Sequence, residues 1–120
     1  MQLELEKDKT LVEIVSKLKV HFKPKKVFLF GSRANGTSTP DSDYDLLLVV
    51  RTSDKTSRER MREARQVLRG RTVAVDIFIY TQAEFDELKE EFSSIAHTVS
   101  TDGVELWAKS PVLSKTGSLM

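Results

Sequence analysis

Val27-Phe28-Leu29-Phe30-Gly31-Ser32 and, ten residues further on, Asp43-Tyr44-Asp45-Leu46-Leu47-Leu48-Val49-Val50 are the two segments that decide how this chain reads. A short β-branched and aromatic run stops at a glycine. Two carboxylates, two positions apart, then open an unbroken aliphatic run. Alternate residues of a strand share a face, so Asp43 and Asp45 emerge together with Cα atoms about 6.5 Å apart. Such a pair can reach inward onto hard divalent cations, which take oxygen ligands. The Gly31-Ser32 turn offers backbone N–H groups and a hydroxyl to phosphate oxygens. The five apolar residues 46–50 imply burial on both faces, hence a central strand covered by helices. Together these parts describe a metal-dependent nucleotide site.

Outward from this centre the remaining elements follow from periodicity. Leu11, Ile14, Val15, Leu18 and Phe22 make one apolar stripe, with Thr10 and Glu13 in the spacing of a capping box and Pro24 as the stop. A brief helical turn is expected at 32–35 and loop at 36–42. Ser57 to Arg69 reads as a helix whose narrow apolar face is Met61, Ala64 and Leu68, with Gly70 just beyond its end. Val73 to Tyr80 reads as a third strand. Thr81 and Glu84 form a second capping-box spacing, and Phe85, Leu88, Phe92, Ile95, Ala96 and Val99 follow at helical spacing with a break near Ser93-Ser94. Gly103 ends that element, and Val104 to Trp107 suits a short last strand. The order predicts an α/β (α+β) domain, a small mixed sheet with helices packed on it. Residues 1–108 are expected to form one domain and 109–120 a flexible tail.

Composition narrows the class. The chain has 120 residues, 39% hydrophobic and 31% charged, with a net charge of +1 and no cysteine. These values suit an ordinary folded domain and exclude disulfides and thiolate metal sites. No apolar run approaches the ~18 residues of a membrane span, so neither membrane nor secretion is expected, and a cytoplasmic setting fits. The charge is unevenly placed. Arginines and lysines at 51, 55, 58, 60, 62, 65, 69 and 71 outnumber the acids at 54, 59 and 63, whereas 82–105 holds seven acids and only Lys89. That pattern reads as solvated helix faces or as a basic surface facing an acidic partner or polyphosphate.

A third carboxylate, Asp76, interrupts an otherwise apolar third strand. On its own it reads as an edge-strand acid facing water. Next to the Asp43/Asp45 pair it becomes the third member of a set that could hold two cations ~4 Å apart for phosphoryl-type transfer. There is no Gly-x4-Gly-Lys-Ser/Thr and no Gly-x-Gly-x-x-Gly, which excludes a P-loop and a dinucleotide fingerprint.

Gly31-Ser32-Arg33-Ala34, the ten-residue spacing, and Ser42-Asp43-Tyr44-Asp45-Leu46 resemble the GS-x10-DxD signature of the polymerase-β-like nucleotidyltransferases. The short chain resembles their minimal branch, the MNT proteins. Asp102-Gly103-Val104-Glu105-Leu106 is similar to the family's usual Glu-Gly-Val-x-Leu close. The resemblance implies that Asp43 and Asp45 ligate two Mg²⁺ ions (Mn²⁺ as an alternative). It implies that Asp76 completes the shell of the catalytic one and helps deprotonate the acceptor. Gly31 and Ser32 would hold the β and γ phosphates of a nucleoside triphosphate. Asn35 departs from the family, which often carries a second arginine there, and leaves Arg33 as the nearby cation, for phosphate contact or for ordering the site.

The expected chemistry is attack of an acceptor hydroxyl on the α-phosphorus of ATP with loss of pyrophosphate. Minimal members are often paired with helical HEPN toxins, and the resemblance implies AMP transfer to a toxin tyrosine, an antitoxin role. Two alternatives stay open: an antitoxin acting by contact alone, and nucleotide addition to an RNA 3′ end or a small molecule, for which the arginine-rich helix is the one support. A helical partner or a homo-oligomer is expected to bring the acceptor. His21 and His97 are expected to be structural, Tyr44 to pack away from its acidic neighbours, and Trp107 to serve as core or as an interface anchor.

Overall fold

The computed structural model describes residues 7–70 and 73–108. The expected tail, 109–120, lies outside them. In chain order the elements are α1 (Lys9–Phe22), β1 (Lys26–Phe30), α2 (Ser32–Asn35), β2 (Tyr44–Val50), α3 (Ser57–Val67), β3 (Val75–Thr81), α4 (Gln82–Leu88), α5 (Ile95–Asp102) and β4 (Val104–Ala108). The sheet is mixed, ordered β3-β2-β1-β4, with β2 parallel to β3 and β1 antiparallel to both β2 and β4. β2 is therefore interior, as its aliphatic run requires, and α3 makes the crossover that a parallel pair needs.

Strand alternation divides the core into two layers. Leu46, Leu48 and Val50 join Leu11, Ile14 and Leu18 of α1, together with Ala64 and Leu68 on and beside α3, on one face. Leu47 and Val49 meet Phe85 of α4 and Ala96 and Val99 of α5 on the other. Asp45 and Asp76 belong to this second face by the same period of two. Among the described residues no helix is long and apolar enough to cross a membrane.

Several boundaries differ from the sequence reading. The cap of α1 is Asp8, which accepts from the Leu11 N–H, so Thr10 lies inside the helix and the Thr10/Glu13 box does not form. The Asp8 carboxylate also receives the Tyr44 hydroxyl at 2.7 Å, a tertiary partner that local spacing cannot show. The Thr81/Glu84 box does form, and so does one the sequence reading passed over, Thr56/Glu59 at the start of α3. The segment from Thr81 to Gly103 is two helices. Ser94 caps the second, and its hydroxyl donates back to the Leu88 carbonyl at the end of the first.

Arg60 corrects the picture of α3 as a uniformly solvated basic helix. Its side chain is buried, 4% exposed, and all five guanidinium N–H groups have acceptors. They are the Lys55 carbonyl twice, the Ile79 carbonyl, and both oxygens of Glu84 at 2.8 and 3.0 Å. The bidentate pair ties α3 to the start of α4 around the end of β3.

Candidate active site

The ends of three strands bring the predicted residues to one edge of the second face. In the antiparallel β1–β2 register Phe30 stands opposite Asp45, and in the parallel β2–β3 register Asp45 stands opposite Asp76. Phe30, Asp45 and Asp76 thus form one row across the sheet. Gly31 follows Phe30 directly, so the turn meets the acid. Its backbone, at φ 77° and ψ −159°, is a conformation open in practice only to glycine. A Cβ added there would overlap Oδ2 of Asp45 and lie 3.1 Å from its Cγ.

The carboxyl of Asp45 is held above the usual carboxylate range. Burial is the main cause, followed by the negative charges of Asp76 and Asp43 and a hydrogen bond with Asp76. Two acids sharing a site compete for one proton in this way. Asp76 is exposed on an edge strand, as the plain reading of it expected, yet it points to the same side as Asp45. Asp43 lies just before β2 and is exposed. Among the described residues no three His, Cys, Asp or Glu side chains are already drawn together as a metal cage. The three acids are neighbours that repel one another. Their donor set fits a hard divalent cation: oxygen only, two members in register, and a carboxyl whose charge is unfavourable until a positive partner offsets it.

Arg33 faces the loop rather than open solvent. Its Nε and Nη2 donate to the Ser42 carbonyl at 3.1 and 2.8 Å, and Nη2 also reaches the Pro40 carbonyl. The guanidinium stacks on the Tyr44 ring at 4.0 Å. One side chain therefore pins the segment immediately before Asp43. Asn35, the departure from the expected arginine, acts locally. Its Oδ1 accepts from the N–H and hydroxyl of Thr37 and shapes the loop's first turn. Ser32, half-buried, opens α2 beside Gly31.

Residues 9–98 match the family model for the nucleotidyltransferase domain, a span running from α1 into α5. The chain belongs to the nucleotidyltransferase domain family. Among solved structures, a Sulfolobus solfataricus protein proposed to be a nucleotidyltransferase is 27% identical with a TM-score of 0.61, over 90% of this chain and 84% of that one. A mutant form of the toxin–antitoxin complex MntA-HpeT is 24% identical with a TM-score of 0.53, over 82% of this chain and 72% of that one. A second mutant form of that complex is 18% identical with a TM-score of 0.50, over 82% and 73%. At these identities the last two establish a shared fold and nothing more. No curated protein sequence matches the chain.

For a nucleotidyltransferase, two features of this site escaped the sequence reading. Phe30 and Phe78 flank the row of acids, their rings 6.1 Å apart, and wall its apolar side. The alternation that placed Asp45 could have placed both. The Asp8–Tyr44 bond had no such signal, because its partners are 36 residues apart. Burial first, then that bond and the Asp8 charge, push the Tyr44 hydroxyl up to about 12. Tyr44 packs on the α1 face as predicted, and it anchors β2 where the acids begin.

Proposed function

We propose that this nucleotidyltransferase moves AMP from ATP onto a hydroxyl of a protein acceptor, a tyrosine of a small helical HEPN-type toxin that it thereby neutralises. Residues 1–108 form the catalytic unit in this reading. The observation that carries it is the in-register pairing of Asp45 with Asp76 on the face where the Gly31 backbone abuts Asp45. Asp43, Asp45 and Asp76 would hold two Mg²⁺ ions, with Mn²⁺ as an alternative. Bound there, such ions polarise the phosphates and lower the pKa of an attacking hydroxyl.

The chain's own residues do the positioning. Gly31 and Ser32 receive the β and γ phosphates, because only a glycine lets backbone come so close to the acids. Arg33 holds the 40–42 carbonyls and so fixes where Asp43 enters. Asp76, exposed at the sheet edge, is the carboxylate an incoming hydroxyl can reach, and it takes that proton. Phosphoryl transfer of this kind depends on orientation and electrostatics more than on covalent chemistry, which suits a small rigid site.

The protein acceptor is supported by what the described elements do. All belong to the sheet or its two helical covers, which makes a partner the natural bearer of the hydroxyl. The fold shared with the MntA-HpeT toxin–antitoxin complex supports a toxin as that partner. The test supplies α-labelled ATP and Mg²⁺ to the protein together with host lysate. Label entering a small protein, and lost with Asp45→Asn, is the expected result. Label entering RNA instead would move the acceptor to a 3′ end, and no label anywhere would favour an antitoxin acting by contact alone.

A further inference from the structure

The turn between α4 and α5 carries the most exposed large apolar residue among those described, Phe92, at 86%. It is held firmly rather than left loose. Its ring meets His97 edge-on at 4.9 Å, and His97 Nδ1 sits 2.9 Å from the Lys89 carbonyl. The Ser94 hydroxyl donates to the Leu88 carbonyl and accepts from the His97 N–H. A pinned turn displays its side chain with little ordering cost on contact. Glu90 and Glu91, both exposed at the start of this turn, precede Phe92, and neither has an ion-pair partner among the described residues.

On the opposite face of the sheet lies a hollow of matching character. It has a volume of about 190 Å³ and is lined by Leu68, Val73, Val75 and Ile77, with Arg65 and Arg69 beside Gly70. Leu68 and Ile77 are buried at its floor, while both arginines are exposed. The volume falls below the roughly 300–1,000 Å³ of sites for whole small molecules and suits a single side chain. Among the described residues neither arginine has an ion-pair partner, and the acids of α3 and the α4 cap are engaged elsewhere. Glu59 closes the α3 capping box, Glu63 takes Lys55 and His21, and Glu84 takes Arg60.

We infer that this hollow is a docking site for a second copy of the chain, which inserts Phe92 between Arg65 and Arg69 and sets Glu90 and Glu91 against them. One surface offers an aromatic knob with two carboxylates, and the other an apolar floor with two guanidinium groups. Size and charge both match, the combination of apolar anchor and charged rim that makes interfaces specific. The two patches lie on opposite faces of one sheet, so a chain cannot satisfy itself. The contact is head-to-tail, and it builds a ring or an open string rather than a two-fold dimer. It is independent of the acceptor proposed above.

The test is sedimentation velocity on the full chain over a concentration series, with far-UV circular dichroism confirming that each variant is folded. Wild type is expected to associate in low salt, and about 0.5 M NaCl should weaken association roughly tenfold or more, as screened charge pairs require. Phe92→Ser, the pair Arg65→Glu with Arg69→Glu, and the pair Glu90→Arg with Glu91→Arg should each be monomeric. Mixing the two charge-reversed proteins should restore association, because each supplies the surface the other now needs. A wild type that stays monomeric throughout, or a mixture that fails to associate, overturns the inference. So does a monomeric chain that binds labelled oligoribonucleotide through Arg65 and Arg69, which would assign the patch to nucleic acid.

Discussion

The backbone of Gly31 is packed against the carboxylate of Asp45, so closely that a methyl group on the glycine would occupy the space of Oδ2. The glycine and the acid are therefore one constraint, although fourteen positions separate them in the chain. β1 ends at the turn and β2 begins at the acid, and their antiparallel pairing closes the distance.

Gly31→Ala should accordingly fail twice. The φ of 77° with extended ψ costs a side chain about 1–3 kcal/mol, and the new Cβ must displace Asp45. Urea unfolding is expected to show that loss of stability, and transfer should be undetectable. A folded, active alanine variant would mean that the turn does not meet the acid as described.

Asp45→Asn and Asp76→Asn should separate activity from stability. Like charges directly opposite on neighbouring strands are unfavourable, so either change should leave stability equal or raise it by up to about 1 kcal/mol. Transfer should fall roughly a hundredfold or more, since electrostatic positioning is the role proposed for the acids. Thermal melts and label incorporation on the same preparations check both signs. Loss of stability in step with activity would make these acids structural.

Arg33→Lys tests whether the guanidinium orders the loop. Lysine keeps the charge but cannot span the Pro40 and Ser42 carbonyls while lying flat on Tyr44. The expected outcome is a fall in kcat of about tenfold, the scale of a small misplacement of a reacting group, with KM for ATP nearly unchanged. A large rise in KM with kcat preserved would instead assign Arg33 to the phosphates.

Glu84→Gln gives a pH-dependent prediction. Hydrogen bonding from Arg60 is the main reason the Glu84 carboxyl lies below its usual range, and burial opposes it. A lowered folded pKa means stability that is present above the unfolded value of about 4.3 and lost as pH falls through the folded one. Glutamine retains the capping-box acceptor at this position but not the charge. The Glu84 side chain is 39% exposed, so solvent screens the pair; the variant should lose roughly 1 kcal/mol at pH 7, and less as the pH drops below about 4. Urea midpoints at several pH values would show the two proteins converging in acid. Parallel curves would place the stabilising charge elsewhere.

Much of this was legible in advance because it rests on local periodicity. The run 46–50 could only be an interior strand, and alternation alone put Tyr44 on one face and Asp45 on the other. Thr81 and Glu84 marked a helix start from adjacent residues. The misreadings share a cause in long-range partners. Thr10 and Glu13 have the spacing of a cap, yet Asp8 takes that position while also binding Tyr44, 36 residues away. Arg60 looked like one more surface charge until Glu84 and two carbonyls surrounded it.

By itself, the order of residues settled which faces are apolar and which segments are strands or helices. Those properties depend on neighbours a few positions away, and backbone geometry fixes them. Whether Asp76 would stand beside Asp45 or merely face water depended on the parallel register of two strands joined through a helix, and only packing sets that register. The same holds for Arg33, whose partners are carbonyls that exist as a group only once the loop has folded around it.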